Sequence, residues 1–203
     1  MQIGLERNRF ARCQPAVAPR ALDYEAEWAA TYRARAFDFL LNDSSLFQFS
    51  RGDEDQAYLR YAYLQCPFGG GSYEEFLAER GLRYEAVGDG MVADFEAVTS
   101  AAAPRRSPIY LRYDYDPSLY RRGVHPASHI HVGYGTEIRV NSTRILTPRS
   151  FLLFVIRQAY PAVWSRLLLA RGAKALEGPA RMGLHLVPTE FDELEDRAEL
   201  RLQ

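Results

Sequence analysis

The sequence is poor in lysine and cysteine, and its net charge is close to zero. The 25 basic residues include a single lysine, Lys174, so arginine carries almost all of the positive charge. With a formal net charge of -1 and a pI of about 6.4, no global positive field would attract nucleic acid or an anionic membrane. Any anionic ligand must therefore be held by a local patch, for which arginine is well suited because it makes bidentate contacts to phosphate and carboxylate.

The scarcity of cysteine and of apolar runs excludes several classes of protein. Cys13 and Cys66 are the only cysteines and lie far apart, so neither a disulfide framework nor a zinc ribbon is indicated. No apolar run approaches the roughly 18 residues that a membrane span needs, and the first residues lack the apolar core of a signal peptide. We expect a cytoplasmic protein with no membrane partner.

What is present is the composition of an ordinary globular protein. Hydrophobic residues make up 47% of the chain and charged residues 25%. A chain of 203 residues can bury one sizeable core. We therefore expect a single domain over residues 1–203.

Hydrophobic spacing predicts helices near both ends of the chain. Residues 21–41 have nearly helical apolar spacing and contain neither glycine nor proline. Thr147 and Pro148 form an N-cap and first-turn pair, after which a buried helix should run until Pro161 kinks or ends it. The other predicted helices cover residues 72–80, 163–171 and 190–199.

Alternating patterns predict strands between these helices. Gly88, Asp89 and Gly90 form a hairpin signal between two of them. The predicted strands cover residues 46–50, 57–68, 82–87, 91–98, 109–115, 129–134, 137–140 and 184–187. The chain should thus adopt an α+β fold, with a mostly antiparallel sheet of about five to seven strands packed against N-terminal and C-terminal helices.

The sharpest local feature is a cluster of histidines. His125, His129 and His131 lie within seven residues. Because alternate residues of a strand share a face, His129 and His131 should project together while Ile130 enters the opposite side. His125 precedes them through a proline turn and could fold back toward them.

Three interpretations of this pair remain open at the level of sequence. The imidazoles could bind a metal with His125 or with a carboxylate from Asp114, Asp116 or Glu137. They could act as a general acid and base, since histidine titrates near neutrality. They could also be hydrogen-bonded residues of a polar sheet face. The spacing does not choose, so no metal ligand and no cofactor is assigned.

Charged and aromatic residues surround the histidines. Arg112 and Asp114 share a predicted face, and they could simply pair with each other. Tyr113 is on the other face of that strand, where a core role is favoured over ligand binding for a residue of its type. The candidate catalytic residues are His125, His129, His131, Arg112 and Asp114, and the candidate ligand-binding residues are Tyr113, Arg139 and Arg144.

The remaining motifs do not indicate a further functional site. His185 lies in an apolar run, where we expect a packed histidine and no ligand role. The glycines at 69–71 are not followed by the residues of a phosphate-binding loop. No nucleophile elbow or Walker motif is present, and a cupin-like site would need a differently spaced glutamate.

An ordered series of motifs resembles a known family. The stretches Tyr110–Pro117 (YLRYDYDP) and His125–Gly133 (HPASHIHVG) are followed by Thr147, Pro148 and Phe151. Over roughly residues 108–160 this series resembles an uncharacterised bacterial family, the domain of unknown function 2290. The resemblance supports the location of the site and implies no particular chemistry.

Three functions compete. The first is a binding or effector subunit of a multi-protein system, with a protein partner, which buried and mutually bonded histidines would favour. The second is a histidine-dependent phosphodiesterase or RNase-like enzyme with a nucleotide or RNA phosphate ligand, which predicts an open cleft. The third is a metal-dependent hydrolase that uses His129 and His131, which requires converging ligands.

Overall fold

The computed structural model describes most of the chain between residues 24 and 172 and shorter segments outside it. The described residues are 6–7, 24–52, 58–69, 71, 73–102, 105–135, 138–172, 175, 178, 184–191 and 201–202. The strands are β1 Glu6–Arg7, β2 Phe39–Leu40, β3 Leu46–Arg51, β4 Leu59–Leu64, β5 Tyr110–Tyr115, β6 Ser128–Val132, β7 Arg139–Ser142, β8 Arg144–Ile145, β9 His185–Leu186 and β10 Arg201–Leu202. The helices are α1 Tyr24–Arg33, α2 Tyr73–Glu79, α3 Tyr84–Val87, α4 Val92–Ala101, α5 Pro148–Ala159 and α6 Pro161–Arg171, with 3₁₀ turns at Pro117–Leu119 and Thr189–Phe191.

One sheet organises the fold. Strands β1 to β7 are adjacent in sequence order and antiparallel, and β10 pairs parallel to β7 at the edge. Strands β8 and β9 form a small separate ribbon. Strands β2 to β7 form the antiparallel body of the sheet, and the strands predicted over residues 46–50, 57–68 and 109–115 all belong to it. The α+β prediction is confirmed.

The apolar face of the sheet packs against α5. Tyr61, Tyr113 and Ile130 point from three neighbouring strands into a core that contains Phe151 and Val155, and Phe151 has no exposed surface. Burial of this face fixes the register, because a slip of one residue would move every one of these side chains to the other side. The histidines that flank Ile130 must then project from the opposite face.

The register places polar side chains in two rows on that opposite face. In the first row Arg60, Asp114, His129 and Asn141 are directly opposed on β4, β5, β6 and β7. In the second row Arg112, His131 and Arg139 are directly opposed on β5, β6 and β7. Directly opposed residues project to the same side of a sheet. These seven residues are called the polar face below.

Helix α5 begins after the N-cap predicted at Thr147, where the structure forms a capping box with Ser150. The Thr147 side chain accepts a hydrogen bond from the Ser150 backbone N–H at 3.1 Å, and the Ser150 hydroxyl accepts one from the Thr147 N–H at 2.8 Å. We expect Thr147→Ala to lower the free energy of unfolding by about 1 kcal/mol, measured by urea denaturation. Ser165→Ala, at an exposed position within α6, should change stability by less than about 0.5 kcal/mol, and equal losses in both variants would contradict a capping role.

The long helix predicted over residues 21–41 is wrong in its second half. Helix α1 ends at Arg33, Arg35 takes a positive φ of 49°, and the chain then enters β2. The Asp38 N–H donates to the Phe47 carbonyl at 2.8 Å, so pairing with β3 provides hydrogen bonds that replace those of a longer helix. Strand pairing between β2 and β3 therefore outweighed the helical preference that the apolar spacing of these residues indicates. Residues 21–23 lie outside the described part.

The hairpin predicted around Gly88 to Gly90 is also wrong. The two flanking segments form helices α3 and α4. In α4, Phe95 and Thr99 are buried while Asp94 and Glu96 are exposed, which is a helical period and not an alternation. Phe95 packs with residues of α2, so a small helical cluster lies where a meander was expected.

Several predictions near the C-terminus need correction or cannot be compared. The strand predicted over residues 184–187 is reduced to β9, and His185 is exposed there and not packed. Of the helix predicted over residues 190–199, the start is a 3₁₀ turn and residues 192–199 lie outside the described residues, as do Cys13, Ser72 and Glu137. No helix in the described part is long and apolar enough to cross a membrane.

Candidate functional site

The polar face centres on Asp114, His129 and His131. The Nε2 atoms of the two histidines lie 2.9 Å apart. The Oδ2 atom of Asp114 lies 3.3 Å from the His131 Nε2 and 4.0 Å from the His129 Nε2. All three residues are buried, with relative exposures of 6% for Asp114, 0% for His129 and 8% for His131. The strand alternation predicted from sequence is what brings the two imidazoles together.

The hydrogen bonds of His129 identify its tautomer. Its Nδ1 lies 2.9 Å from the Pro126 carbonyl oxygen, which can only accept a hydrogen bond. The Nδ1 therefore carries the proton and donates it to Pro126. In the neutral ring the Nε2 is then unprotonated, and its lone pair accepts the N–H of His131.

Burial keeps the His129 ring neutral. Burial lowers the pKa of His129 to about 3, and the neighbouring His131 and His125 rings act in the same direction. Asp114 opposes this effect with its negative charge but does not overcome it. Near neutral pH, His129 is thus a neutral hydrogen-bonding group.

Asp114 is held ionised by two arginines. The Arg60 Nε donates to Oδ1 at 2.9 Å, and the Arg112 Nε and Nη2 donate to Oδ2 at 3.0 Å and 2.9 Å. Burial by itself would raise the pKa of Asp114, but the hydrogen bond from His131 and the guanidinium charges of Arg112 and Arg60 outweigh it and hold that pKa well below its usual range. The pairing of Arg112 with Asp114 that the sequence suggested is therefore present.

His125 folds back onto the pair. Its ring lies edge-on to the His129 ring with centroids 4.9 Å apart. The turn that returns it is closed by a hydrogen bond from the His125 N–H to the Arg121 carbonyl at 2.7 Å. Burial, with the charge of Arg139 and then His131, lowers the pKa of His125. Within the described residues, its buried Nδ1 makes no hydrogen bond.

The other predicted site residues are divided between this face and elsewhere. Arg139 is on the polar face, exposed and directly opposite His131. Tyr113 is on the apolar face, where its hydroxyl bonds Ser128 at 3.0 Å and the Leu146 N–H at 3.0 Å. Arg144 is in β8, away from the two rows, and its carbonyl accepts the Ser128 hydroxyl at 2.9 Å. The Asp116 carboxylate caps a 3₁₀ turn by accepting the Ser118 N–H.

Sequence reasoning missed Arg60. This residue is in the predicted strand over residues 57–68 and alternates with the buried Tyr61, so a polar-face position could have been inferred. Its partner could not have been inferred, because the pairing of β4 with β5 depends on strand order and register. The role of the Pro126 carbonyl was missed for a similar reason, since backbone groups leave no mark in the sequence.

The ligand atoms of Asp114, His129 and His131 lie within 4.8 Å of one another, which makes them a group able to hold a metal ion. Histidine nitrogen and carboxylate oxygen are ligands that zinc and related ions accept. The same face presents arginine donors suited to phosphate. The arrangement can thus bind a cation at its centre, an anion at its arginines, or both.

Comparison with known proteins identifies the family. No curated protein and no solved structure matches the chain at a significant level. A family model described as an uncharacterised conserved protein (DUF2290) matches residues 8–193. This match is wider than residues 108–160 and includes both rows of the polar face. The chain therefore belongs to the DUF2290 family.

Proposed function

We propose that the protein binds a phosphate-bearing ligand, a nucleotide or a segment of RNA, on the polar face. The observation that carries this proposal is the second row, in which Arg112, His131 and Arg139 occupy directly opposed positions on three neighbouring strands. Neighbouring strands are about 4.8 Å apart, so two guanidiniums flank one imidazole over about 10 Å. Guanidinium and imidazole N–H groups are the donors that phosphate oxygens accept.

The row combines a rigid arginine with an exposed one. Arg112 is fixed by its two hydrogen bonds to Asp114, so it loses little conformational freedom when a ligand binds. Arg139 is exposed and can reach an anion that approaches from solvent. The first row supports the second from the side, because Asp114 contacts both Arg112 and His131.

A binding role agrees best with the burial of the histidines. His129 has no exposed surface and bonds to His131 and Pro126, so it organises the face and does not contact the phosphate-bearing ligand. We propose that the protein acts in the cytoplasm as a binding or effector subunit with a protein partner. Two exposed apolar residues joined by a backbone hydrogen bond, Val132 and Ile138, support such a partner surface on the side of the sheet opposite the row.

Cleavage of the bound phosphodiester is the second candidate function. It is favoured by the contact between His131 and the ionised Asp114 at 3.3 Å, because a carboxylate orients an imidazole for proton transfer. His131 is also the member of the pair that keeps some exposed surface, 8% against 0% for His129.

Binding can be tested with a fluorescently labelled, single-stranded RNA of mixed sequence, followed by anisotropy in buffer that contains EDTA. We expect Arg139→Ala to weaken binding by about 10-fold to 100-fold, since a charge-assisted hydrogen bond contributes about 1.5–3 kcal/mol. The matched control is Arg149→Ala, which removes an exposed arginine from the first turn of α5.

The labelled RNA also distinguishes binding alone from cleavage. Absence of RNA binding by the wild type, or equal weakening in Arg139→Ala and Arg149→Ala, would contradict the phosphate site. RNA shortened by the wild type and left intact by His131→Gln on a denaturing gel would establish cleavage. General acid-base catalysis supplies about 100-fold to 10,000-fold, so the loss should be of that order.

A further inference from the structure

We infer that Asp114, His129 and His131 form a binding site for one divalent transition-metal ion, of which Zn²⁺ is the best fit. The inference is independent of the phosphate ligand, since it depends on the first row and its neighbour His131 and not on the arginine donors. It assigns three protein ligands: Oδ2 of Asp114 and the Nε2 atoms of both histidines.

The spacing of the three atoms fits tetrahedral coordination. Ligands about 2.0–2.1 Å from a tetrahedral zinc ion are about 3.3 Å from one another. The three distances here are 2.9 Å, 3.3 Å and 4.0 Å. Bringing all three to about 3.3 Å changes the longest distance by about 0.7 Å, which rotation about the side-chain torsions can supply. The three residues are already fixed on two adjacent strands, so binding requires no rearrangement of the backbone.

The protonation of the site also suits a metal. His129 donates from Nδ1 to the Pro126 carbonyl, which leaves the Nε2 lone pair directed at the cluster. A ligating histidine commonly donates its other N–H to a carbonyl or carboxylate, and that bond fixes the tautomer. His131 would ligate through Nε2 in the tautomer that carries its proton on Nδ1. Asp114 supplies a negative charge.

Arg112 is the residue that opposes the metal. Its Nε and Nη2 both donate to Oδ2, the oxygen assigned as the ligand, whereas Arg60 donates to Oδ1. A dication and a guanidinium at one oxygen repel each other, so metal binding competes with the Arg112 pair. Removing Arg112 should therefore tighten metal binding, while Arg60 continues to hold the carboxylate.

Three protein ligands leave a fourth tetrahedral position. Zinc sites with three protein ligands and one open position are the catalytic kind, whereas structural sites have four protein ligands. Among the described residues, His125 is a further histidine beside the site, with its ring centroid 4.9 Å from that of His129. The open position would take water or an oxygen of a ligand on the polar face.

The test is titration calorimetry of the full chain with ZnCl₂ after EDTA treatment and dialysis. We expect one tight Zn²⁺ per chain, a loss of affinity of about 100-fold or more in His131→Ala, and no change in His185→Ala, which removes an exposed histidine of β9. Arg112→Gln should bind about 10-fold more tightly. Near-ultraviolet circular dichroism reports whether each variant is folded.

A second measurement covers the case in which His131→Ala does not fold. Co²⁺ bound to the wild type should give the intense visible absorption of a tetrahedral site, and Arg112→Gln should reach it at lower Co²⁺ concentration. The inference is overturned if the wild type binds no Zn²⁺, if His185→Ala loses as much affinity as His131→Ala, or if Arg112→Gln binds more weakly. RNA binding is measured in EDTA, so the failure of either proposal leaves the other standing.

Discussion

Replacing Asp114 with alanine should lower the free energy of unfolding by about 3 to 5 kcal/mol. The carboxylate accepts hydrogen bonds from Arg60 and Arg112 and contacts His131 at 3.3 Å, and its side chain is only 8% exposed. Its removal leaves two partly buried guanidiniums without their shared counter-charge. The cost of leaving that positive charge buried and uncompensated exceeds the net contribution of the original ion pairs. Urea denaturation in EDTA measures it.

Two further variants show how much of this loss of stability comes from the charge of Asp114 and from its position in the sheet. Asp114→Asn keeps the shape and one acceptor oxygen but removes the charge, so it should cost less than Asp114→Ala and still more than about 1 kcal/mol. Asp94→Ala, at an exposed position in the first turn of α4, should stay within about 0.5 kcal/mol of the wild type. A loss in Asp114→Ala no larger than in Asp94→Ala would show that the arginine pairs contribute little.

Acidification should destabilise the protein strongly through His129. Its pKa is lowered from 6.5 to about 3 in the folded state, so between these values the unfolded chain binds a proton that the folded chain does not. The stabilising effect is complete above pH 6.5 and is lost as the pH falls toward 3. The free energy of unfolding should decrease by about 1.4 kcal/mol per pH unit in this window. Asp114, whose pKa is also lowered, adds a loss at the acidic end.

The difference between the wild type and His129→Gln isolates this contribution. Protonation of other carboxylates also lowers stability in acid, but these carboxylates are the same in the wild type and in His129→Gln. Urea denaturation from pH 7 to pH 4 in EDTA should show a steeper decline for the wild type than for His129→Gln. His185→Gln should follow the wild-type curve, because His185 is exposed. Parallel curves for the wild type and His129→Gln would mean that His129 is not held neutral by burial.

The two proposals divide the polar face into a base and a rim. Asp114 and His129 form the buried base, with exposures of 6% and 0%. Arg139 is on the rim, exposed, and His131 connects the two through its contacts with Asp114 and His129. A metal at the base and an anion at the rim would attract each other, so binding of one should strengthen binding of the other.

Much of the candidate site follows from the sequence. Strand alternation placed His129 and His131 on one face and Ile130 on the other, and it placed Arg112 with Asp114, because side-chain direction in a strand has a period of two. The start of α5 at Thr147 and its end before Pro161 were likewise fixed by local chemistry, since capping and the missing N–H of proline act on neighbouring backbone. These features depend only on residues close together in the chain.

The tertiary structure decided everything that depends on which distant residues meet. It paired β4 with β5 and so brought Arg60 to Asp114, two residues 54 positions apart. It ended the helix predicted over residues 21–41 at Arg33 and placed Phe39 and Leu40 in β2, because β3 supplied hydrogen-bond partners, and it made α4 helical against α2. It also placed Tyr113 in the core and His185 at the surface. Register, strand order and burial are properties of the assembled sheet, so no local pattern specifies them.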